Sequence, residues 1–78
     1  MTTSDVERRI RAIVARIGKT SEDFSGSANL NDELGVTSFA RLDLLISLEE
    51  EFDISISDNA FGAATTLDAL TKIVEELL

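Results

Sequence analysis

The chain has 78 residues, without cysteine, histidine, proline, tryptophan or tyrosine, and its formal net charge is −8. One domain of this size has a small core. Without cysteine or histidine it also lacks disulfides, a thiol nucleophile and the commonest general base. Both features argue against an enzyme. Positions 1–19 hold five basic and two acidic residues (+3) and positions 20–78 hold two basic and thirteen acidic residues (−11), an imbalance that disfavours nucleic acid and favours proteins with basic patches as partners.

The first predicted element is an amphipathic helix over residues 4–17. Its apolar residues recur at helical spacing: Val6, Ile10, Ile13, Val14 and Ile17. Ser4 and Glu7 have the spacing of a capping box, and Gly18 is the expected stop. The stretch has no long apolar run of the kind found in a signal peptide or membrane span. We therefore expect a cytoplasmic protein without membrane insertion.

A long loop and a second helix follow. Residues 19–37 have no sustained period, and Phe24, Leu30 and Leu34 are isolated apolar positions that we expect to pin the loop across the fold. The second helix is predicted over residues 38–53.

The last third of the chain predicts no sheet. The alternating stretch at 54–58 is too short to support a sheet by itself. Asp58 is expected to cap a brief helical turn that ends at Gly62, and Thr65 or Thr66 to cap a final helix. The predicted fold is all-α: a small four-helix bundle of three longer helices and one short helix, with a long loop between helices one and two.

The apolar arc of the second helix is about twice the width of roughly 100° that a docked helix needs. Its members are Leu42, Leu45 and Phe52 at the centre, Leu44 and Leu48 on one flank, and Phe39 and Ile46 on the other. In one interpretation, the bundle surrounds this helix on several sides. In the other, Phe39 and Ile46 form a docking strip for another protein, bordered by the carboxylates of Asp43 and Glu50.

Ser38, at the start of this helix, also allows two interpretations. Serine is a preferred N-cap, because its side-chain oxygen accepts an otherwise unpaired backbone N–H. Thr37 can cap equally well, which would leave the Ser38 hydroxyl free near the positive end of the helix dipole, where a phosphate ester would be stabilised. Residue preference alone favours capping by Ser38.

The stretch ELGVTSFARLDLLISLEEEFDISISD resembles the core motif of acyl carrier proteins and of the related peptidyl and aminoacyl carrier domains. That motif runs D-L-G-x-D-S-L, then E-L, L-E-E-x-F and I-x-I-x-D, and its serine corresponds to Ser38. The other matching positions are Leu34, Gly35, Asp43, Leu44, Leu48, Glu49, Glu50, Phe52, Ile54, Ile56 and Asp58. The resemblance covers nearly the whole chain and implies a single acyl-carrier-like domain over residues 1–78.

The resemblance implies that Ser38 carries 4′-phosphopantetheine, transferred from coenzyme A by a phosphopantetheinyl transferase with magnesium, and that the thiol of this arm holds an acyl or aminoacyl group as a thioester. We expect a monomer without catalytic residues or a metal site. The implied contact surface for the transferase, the loading enzyme and downstream biosynthetic enzymes comprises Thr37, Phe39, Asp43, Ile46, Glu49 and Glu50. Candidates for an acyl-binding pocket are Leu45, Ile56, Phe61, Ala64 and Leu70, which are equally explained as ordinary core.

The sequence departs from the family pattern around the serine. Thr37 stands where the family usually has aspartate, and Phe39 where it has leucine. Ala40 and Arg41 make the helix entrance less acidic than in carriers of primary fatty acid synthesis. These departures predict a specialised discrete carrier for a secondary-metabolite, modified-lipid or aminoacyl pathway. The alternative is an unmodified acidic helical interaction module with a carrier-like fold.

Overall fold

The structure, a computed structural model, describes residues 3–78, with side chains from Asp5 onward. Its four helices are α1 (Thr3–Gly18), α2 (Ser38–Phe52), α3 (Asp58–Ala63) and α4 (Leu67–Leu77). The described residues contain no strand, and one isolated antiparallel bridge joins Asn29 to Thr66. The predicted all-α architecture is confirmed, while the predicted capping box at Ser4 lies outside the described side chains.

The core lies where α1 packs against α2 and α4. Each of these helices contributes one buried apolar stripe: Val6, Ile10 and Val14 from α1, Leu44, Leu48 and Phe52 from α2, and Leu67, Leu70 and Val74 from α4. Each such side chain contributes about 1.5–3 kcal/mol by its full burial, so these stripes stabilise the packing of the three helices. No helix in residues 3–78 combines the length and the apolar character that crossing a bilayer requires.

The end of α1 is set by a close approach of two backbone segments. Lys19, rather than Gly18, has the left-handed conformation (φ 56°), and the N–H of Thr20 donates to the carbonyl of Ala15 at 3.0 Å, as in a Schellman turn. A Cβ atom at Gly18 would collide with the carbonyl oxygen of Leu34. Glycine is therefore needed here because the loop passes directly over the helix end.

The loop between α1 and α2 is part of the core. Leu30 and Leu34 are buried and Phe24 packs against the core from a half-buried position, which confirms the three predicted anchors. Val36 is a fourth anchor and is completely buried. The prediction missed it because a single apolar residue between Gly35 and the polar pair that follows has no period.

Backbone hydrogen bonds join the middle of this loop to the start of α4. The N–H of Leu30 donates to the carbonyl of Thr65 at 2.9 Å, and the N–H of Asp68 donates to the carbonyl of Gly26 at 3.0 Å. The loop is thus fixed at both ends and in the middle.

The N-caps of α3 and α4 are Ser57 and Thr66, whose hydroxyl oxygens each accept a backbone N–H at 3.1 Å. Thr66 is one of the two predicted caps of the last helix. The prediction for α3 was wrong: Asp58 is the first helical residue, where its charge favours the helix dipole, and Ser57 has the extended conformation that a cap requires. The helix ends at Ala63, one residue later than predicted.

Candidate functional site

The N-terminus of α2 presents a serine hydroxyl to solvent. Thr37 is the N-cap, with an extended backbone (φ −71°, ψ 174°) and an Oγ1 atom that accepts the N–H of Ala40 at 3.2 Å. Ser38 is the first helical residue, exposed, and its hydroxyl has no hydrogen bond within the described residues. Capping by Ser38, which residue preference favours, is therefore wrong, because Thr37 already occupies the cap conformation.

The segment that leads to Ser38 is anchored to the core by buried side chains. Leu34 and Val36 are buried, and the residues after each of them face solvent. The side-chain amide of Asn31 donates to the carbonyl of Val36 at 3.1 Å. This alternation of buried and exposed residues fixes the direction in which Thr37 and Ser38 project.

The electrostatic environment of Ser38 suits an anion. Ser38 begins a helix of 15 residues with no acidic residue in its first turn. The first N–H groups of a helix lack partners within it, and the dipole stabilises a nearby negative charge by about 0.3–1 kcal/mol. A phosphodiester on the Ser38 oxygen would lie at this positive end. The residues present therefore fit a phosphate-linked group.

Arg41 connects this region to α3. Its guanidinium donates to the carbonyls of Phe61 at 2.7 Å and Ala64 at 3.1 Å, and lies 4.7 Å from the centroid of the Phe61 ring. From the sequence alone, Arg41 is only a change in charge at the helix entrance. Its structural role had no local signal, because its partners lie at least twenty residues further along the chain.

The apolar residues of α2 form two opposite faces. Leu44, Leu48 and Phe52 point into the core, whereas Phe39, Leu42 and Ile46 are 90%, 60% and 45% exposed. Of the three residues at the centre of the apolar arc, Phe52 is buried, Leu45 is partly buried and Leu42 is exposed. The docked stripe runs along positions separated by four residues, 44, 48 and 52, which turns Leu42 towards solvent.

We call the exposed side the α2 outer face, which comprises Phe39, Leu42, Asp43, Ile46 and Glu50; these five residues share one side of the helix by spacing, and each is exposed. Its two carboxylates border the apolar residues, as the sequence predicted. The exposed Thr37 lies at its N-terminal end.

Glu49 differs from the other carboxylates predicted to contact partners. It is half-buried, and its Oε2 atom accepts the N–H of Ile56 at 2.9 Å. Its carboxylate thus fixes the extended segment between α2 and α3, and we exclude it from the α2 outer face. Within the described residues, no group of acidic side chains converges so as to hold a metal ion.

The five acyl-pocket candidates lie in or against the apolar core. Ile56, Phe61, Ala64 and Leu70 are buried, and Leu45 packs against them from a partly buried position. Ala64 also lines a shallow apolar groove between α3 and α4, whose other apolar members are Ala60, Ala63, Ala69 and Ile73. In this structure the five residues therefore belong to the apolar core or pack against it.

Comparison with known proteins places this geometry in a family. The sequence matches the family described as "Phosphopantetheine attachment site" over residues 8–74. The fold is similar to that of a Mycobacterium tuberculosis protein provisionally named an acyl carrier protein, with a TM-score of 0.85 and 31% sequence identity, over 91% of this chain and 96% of that one. The sequence match and the shared four-helix fold both span almost the whole molecule, and the chain thus belongs to the acyl carrier protein family, non-catalytic carriers whose covalent prosthetic group is 4′-phosphopantetheine.

Proposed function

We propose that the chain, as a single domain over residues 1–78, carries an acyl or aminoacyl group on a phosphopantetheine arm attached to Ser38. The observation that supports this best is the exposed Ser38 hydroxyl on the first residue of α2, left free because Thr37 caps the helix. When bound, the arm supplies a thiol for thioester formation, which the chain lacks because it has no cysteine.

The residues around Ser38 each have a part in holding the arm. Thr37 keeps the serine hydroxyl out of the capping hydrogen bond, and the first N–H groups of α2 face the linkage and stabilise its negative charge. Arg41 holds α3 beside the site. The buried anchors Leu34 and Val36 keep the attachment point on a rigid base instead of a free loop.

Partner enzymes would approach the α2 outer face. Carrier proteins work with phosphopantetheinyl transferases and acyl-handling enzymes, and we propose that those acting on this chain present basic patches. The support is the net charge of −11 over residues 20–78 and the exposure of Phe39, Asp43, Ile46 and Glu50 next to Ser38 and Thr37. Such complementary charge mainly increases the rate of association. We further propose a cytoplasmic monomer.

The pathway we propose is a specialised one, in secondary metabolism, lipid modification or aminoacyl transfer. Thr37, Phe39 and Arg41 alter the surface around the serine relative to carriers of primary fatty acid synthesis. Rapid elongation of chains on this protein by the enzymes of fatty acid synthesis, at the rate on their own carrier, would contradict this part of the proposal. If the cargo enters the fold, the candidates that would line it are Leu45, Ile56, Phe61, Ala64 and Leu70.

Intact mass spectrometry tests the attachment site. The protein is incubated with coenzyme A, magnesium and a broad-specificity phosphopantetheinyl transferase, beside Ser38→Ala and the control Ser55→Ala, which removes an exposed serine outside the helices. We expect one phosphopantetheine on the wild type and on the control, and none on Ser38→Ala. Loading of Ser38→Ala would place the arm elsewhere. A bare Ser38 both in this assay and in protein from its native cell would favour the unmodified interaction module instead.

A further inference from the structure

Arginine side chains cover three of the four phenylalanines of the chain. The pairs, with the distance from the guanidinium carbon to the ring centroid, are Arg9 on Phe52 (4.6 Å), Arg11 on Phe24 (4.6 Å) and Arg41 on Phe61 (4.7 Å). A guanidinium within about 6 Å of a ring centroid is attracted by the negative face of the ring. The contact thus recurs in this small fold.

In each pair the same guanidinium also donates to an oxygen atom. Arg9 pairs with the carboxylate of Glu51 at 2.6 Å, and Arg11 with that of Glu7 at 2.7 Å. The arginine on Phe61 donates to two backbone carbonyls. In all three cases, therefore, one guanidinium contacts a phenylalanine ring and an oxygen acceptor at the same time.

Phe39, the fourth phenylalanine, has no arginine over its ring within the described part of the chain. It is 90% exposed. Asp43, four residues further on the same helix face, is exposed and has no ion pair or hydrogen bond within residues 3–78. Side chains at this spacing have Cβ atoms about 5–6 Å apart. The remaining arginines, Arg8 and Arg16, belong to α1. Arg8 pairs with Asp5, and Arg16 donates to the hydroxyl of Ser47 in α2.

We infer that Phe39 and Asp43 together bind one arginine side chain of the enzymes that act on Ser38. The guanidinium would stack on the ring of Phe39 and donate to the carboxylate of Asp43. This inference rests on the proposed function, since the receptor lies next to the proposed attachment serine. It adds a specific chemistry to the docking of basic partners: Phe39 would be recognised by a cation and not by an apolar pocket.

The charges around Phe39 favour a cation as its neighbour. Inserting the ring into an apolar pocket would also remove water from the adjacent carboxylate of Asp43, and a desolvated, unpaired charge is costly. An arginine satisfies both groups at once. Its planar guanidinium can stack by its face and donate by its edge, which the compact ammonium group of lysine cannot do.

The test is the loading reaction itself, measured as kcat/KM for a broad-specificity phosphopantetheinyl transferase at low ionic strength. The variants are Phe39→Leu, Phe39→Tyr, Asp43→Asn and the double variant Phe39→Leu/Asp43→Asn. Glu76→Gln, which removes an exposed carboxylate from α4, is the control for the change in net charge. Melting curves followed by circular dichroism establish that all variants fold.

We expect Phe39→Leu and Asp43→Asn each to lower kcat/KM about three- to tenfold, mainly through KM, as the loss of one exposed cation contact predicts. Phe39→Tyr keeps the ring and should lose less than Phe39→Leu. The double variant should lose less than the product of the single losses, because both changes act on the same arginine. Glu76→Gln should load like the wild type.

Three results would overturn the inference. Phe39→Leu could load as well as the wild type, Phe39→Tyr could be the more impaired variant, or the losses at positions 39 and 43 could multiply without coupling. Any of these, with Ser38 still loaded, leaves the proposed function intact and removes the arginine receptor alone. If the wild type is loaded neither in the assay nor in its native cell, both the proposed function and the arginine receptor are contradicted.

Discussion

Two adjacent hydroxyl residues at the start of α2 have separate roles. Thr37 has the extended conformation of an N-cap and its side chain accepts the N–H of Ala40. Ser38 has helical geometry and an exposed hydroxyl. Because the cap is satisfied by the first of the pair, the second can be esterified without the loss of a capping hydrogen bond.

We predict that Thr37→Val lowers the free energy of unfolding by about 0.5–2 kcal/mol, because it keeps the shape of the side chain and removes the cap acceptor. Urea denaturation followed by circular dichroism measures this. Thr65→Val is the matched control, an exposed threonine whose hydroxyl has no hydrogen bond within the described residues. Equal stability of the Thr37 and Thr65 variants would mean that the capping bond adds nothing measurable.

The sequence identified Ser38 through its motif, but it could not assign the cap. Serine and threonine are both good N-caps, so that only the backbone conformation separates Thr37 from Ser38. The same one-residue error occurred at α3, where Ser57 is the cap and Asp58 the first helical residue. In both pairs the two residues are competent caps, and in both the earlier one takes the position.

At the scale of elements, arginine side chains connect segments at the periphery of the apolar core to one another. Arg9 reaches from α1 to the C-terminal end of α2, where it contacts Glu51 and Phe52. Arg11 holds the start of the long loop by donating to the carbonyls of residues 22 and 24. Arg41 does the same for α3, an element of only 6 residues.

We predict that Arg41→Met loosens α3 without unfolding the bundle, because it keeps the apolar stem and removes the donors. Each hydrogen bond from a charged donor contributes about 1.5–3 kcal/mol. Hydrogen–deuterium exchange read by mass spectrometry should show faster exchange over residues 55–66, with α1 and α4 little changed. Arg8→Met, at an arginine side chain that is 72% exposed, is the control and should leave this segment unchanged. Equal exchange in both variants would contradict the proposed role of Arg41.

Helical periodicity predicted the helices well, because each long helix has a buried stripe that recurs every three or four residues. It could not decide which part of the wide apolar arc of α2 faces the core, so that the exposure of Leu42 was not predicted. It also could not indicate the contacts of Arg41, nor the burial of Val36, since both depend on residues brought together by the fold.

At the scale of the whole molecule, the charge is unevenly distributed and only partly compensated. Three arginines of α1 pair with carboxylates, among them Arg9 with Glu51 at 2.6 Å. The net charge of −11 over residues 20–78 is nevertheless far larger than the +3 of residues 1–19. Repulsion among like charges destabilises a compact state and is screened by salt.

We therefore predict that Tm rises when sodium chloride is increased from about 0.01 to 0.15 M, since this shortens the screening length from about 30 to 8 Å. For a domain of this size, each kcal/mol regained corresponds to about 4–8 °C. Thermal melts followed by circular dichroism measure the change. Asp43→Asn/Glu50→Gln, which removes two exposed charges from α2, should show a smaller rise. A constant or falling Tm would contradict the assignment of self-repulsion.

The hydrogen bonds between the long loop and the start of α4 have a consequence for synthesis of the protein. The loop that precedes Ser38 is fixed by the backbone of Thr65 and Asp68, which the ribosome adds some thirty residues after the serine itself. Until that part of the chain has emerged, the loop lacks its hydrogen-bond partners, and Ser38 therefore lacks a rigid support. We expect, therefore, that a transferase recognises Ser38 only after residues 65–68 have formed their hydrogen bonds with the loop.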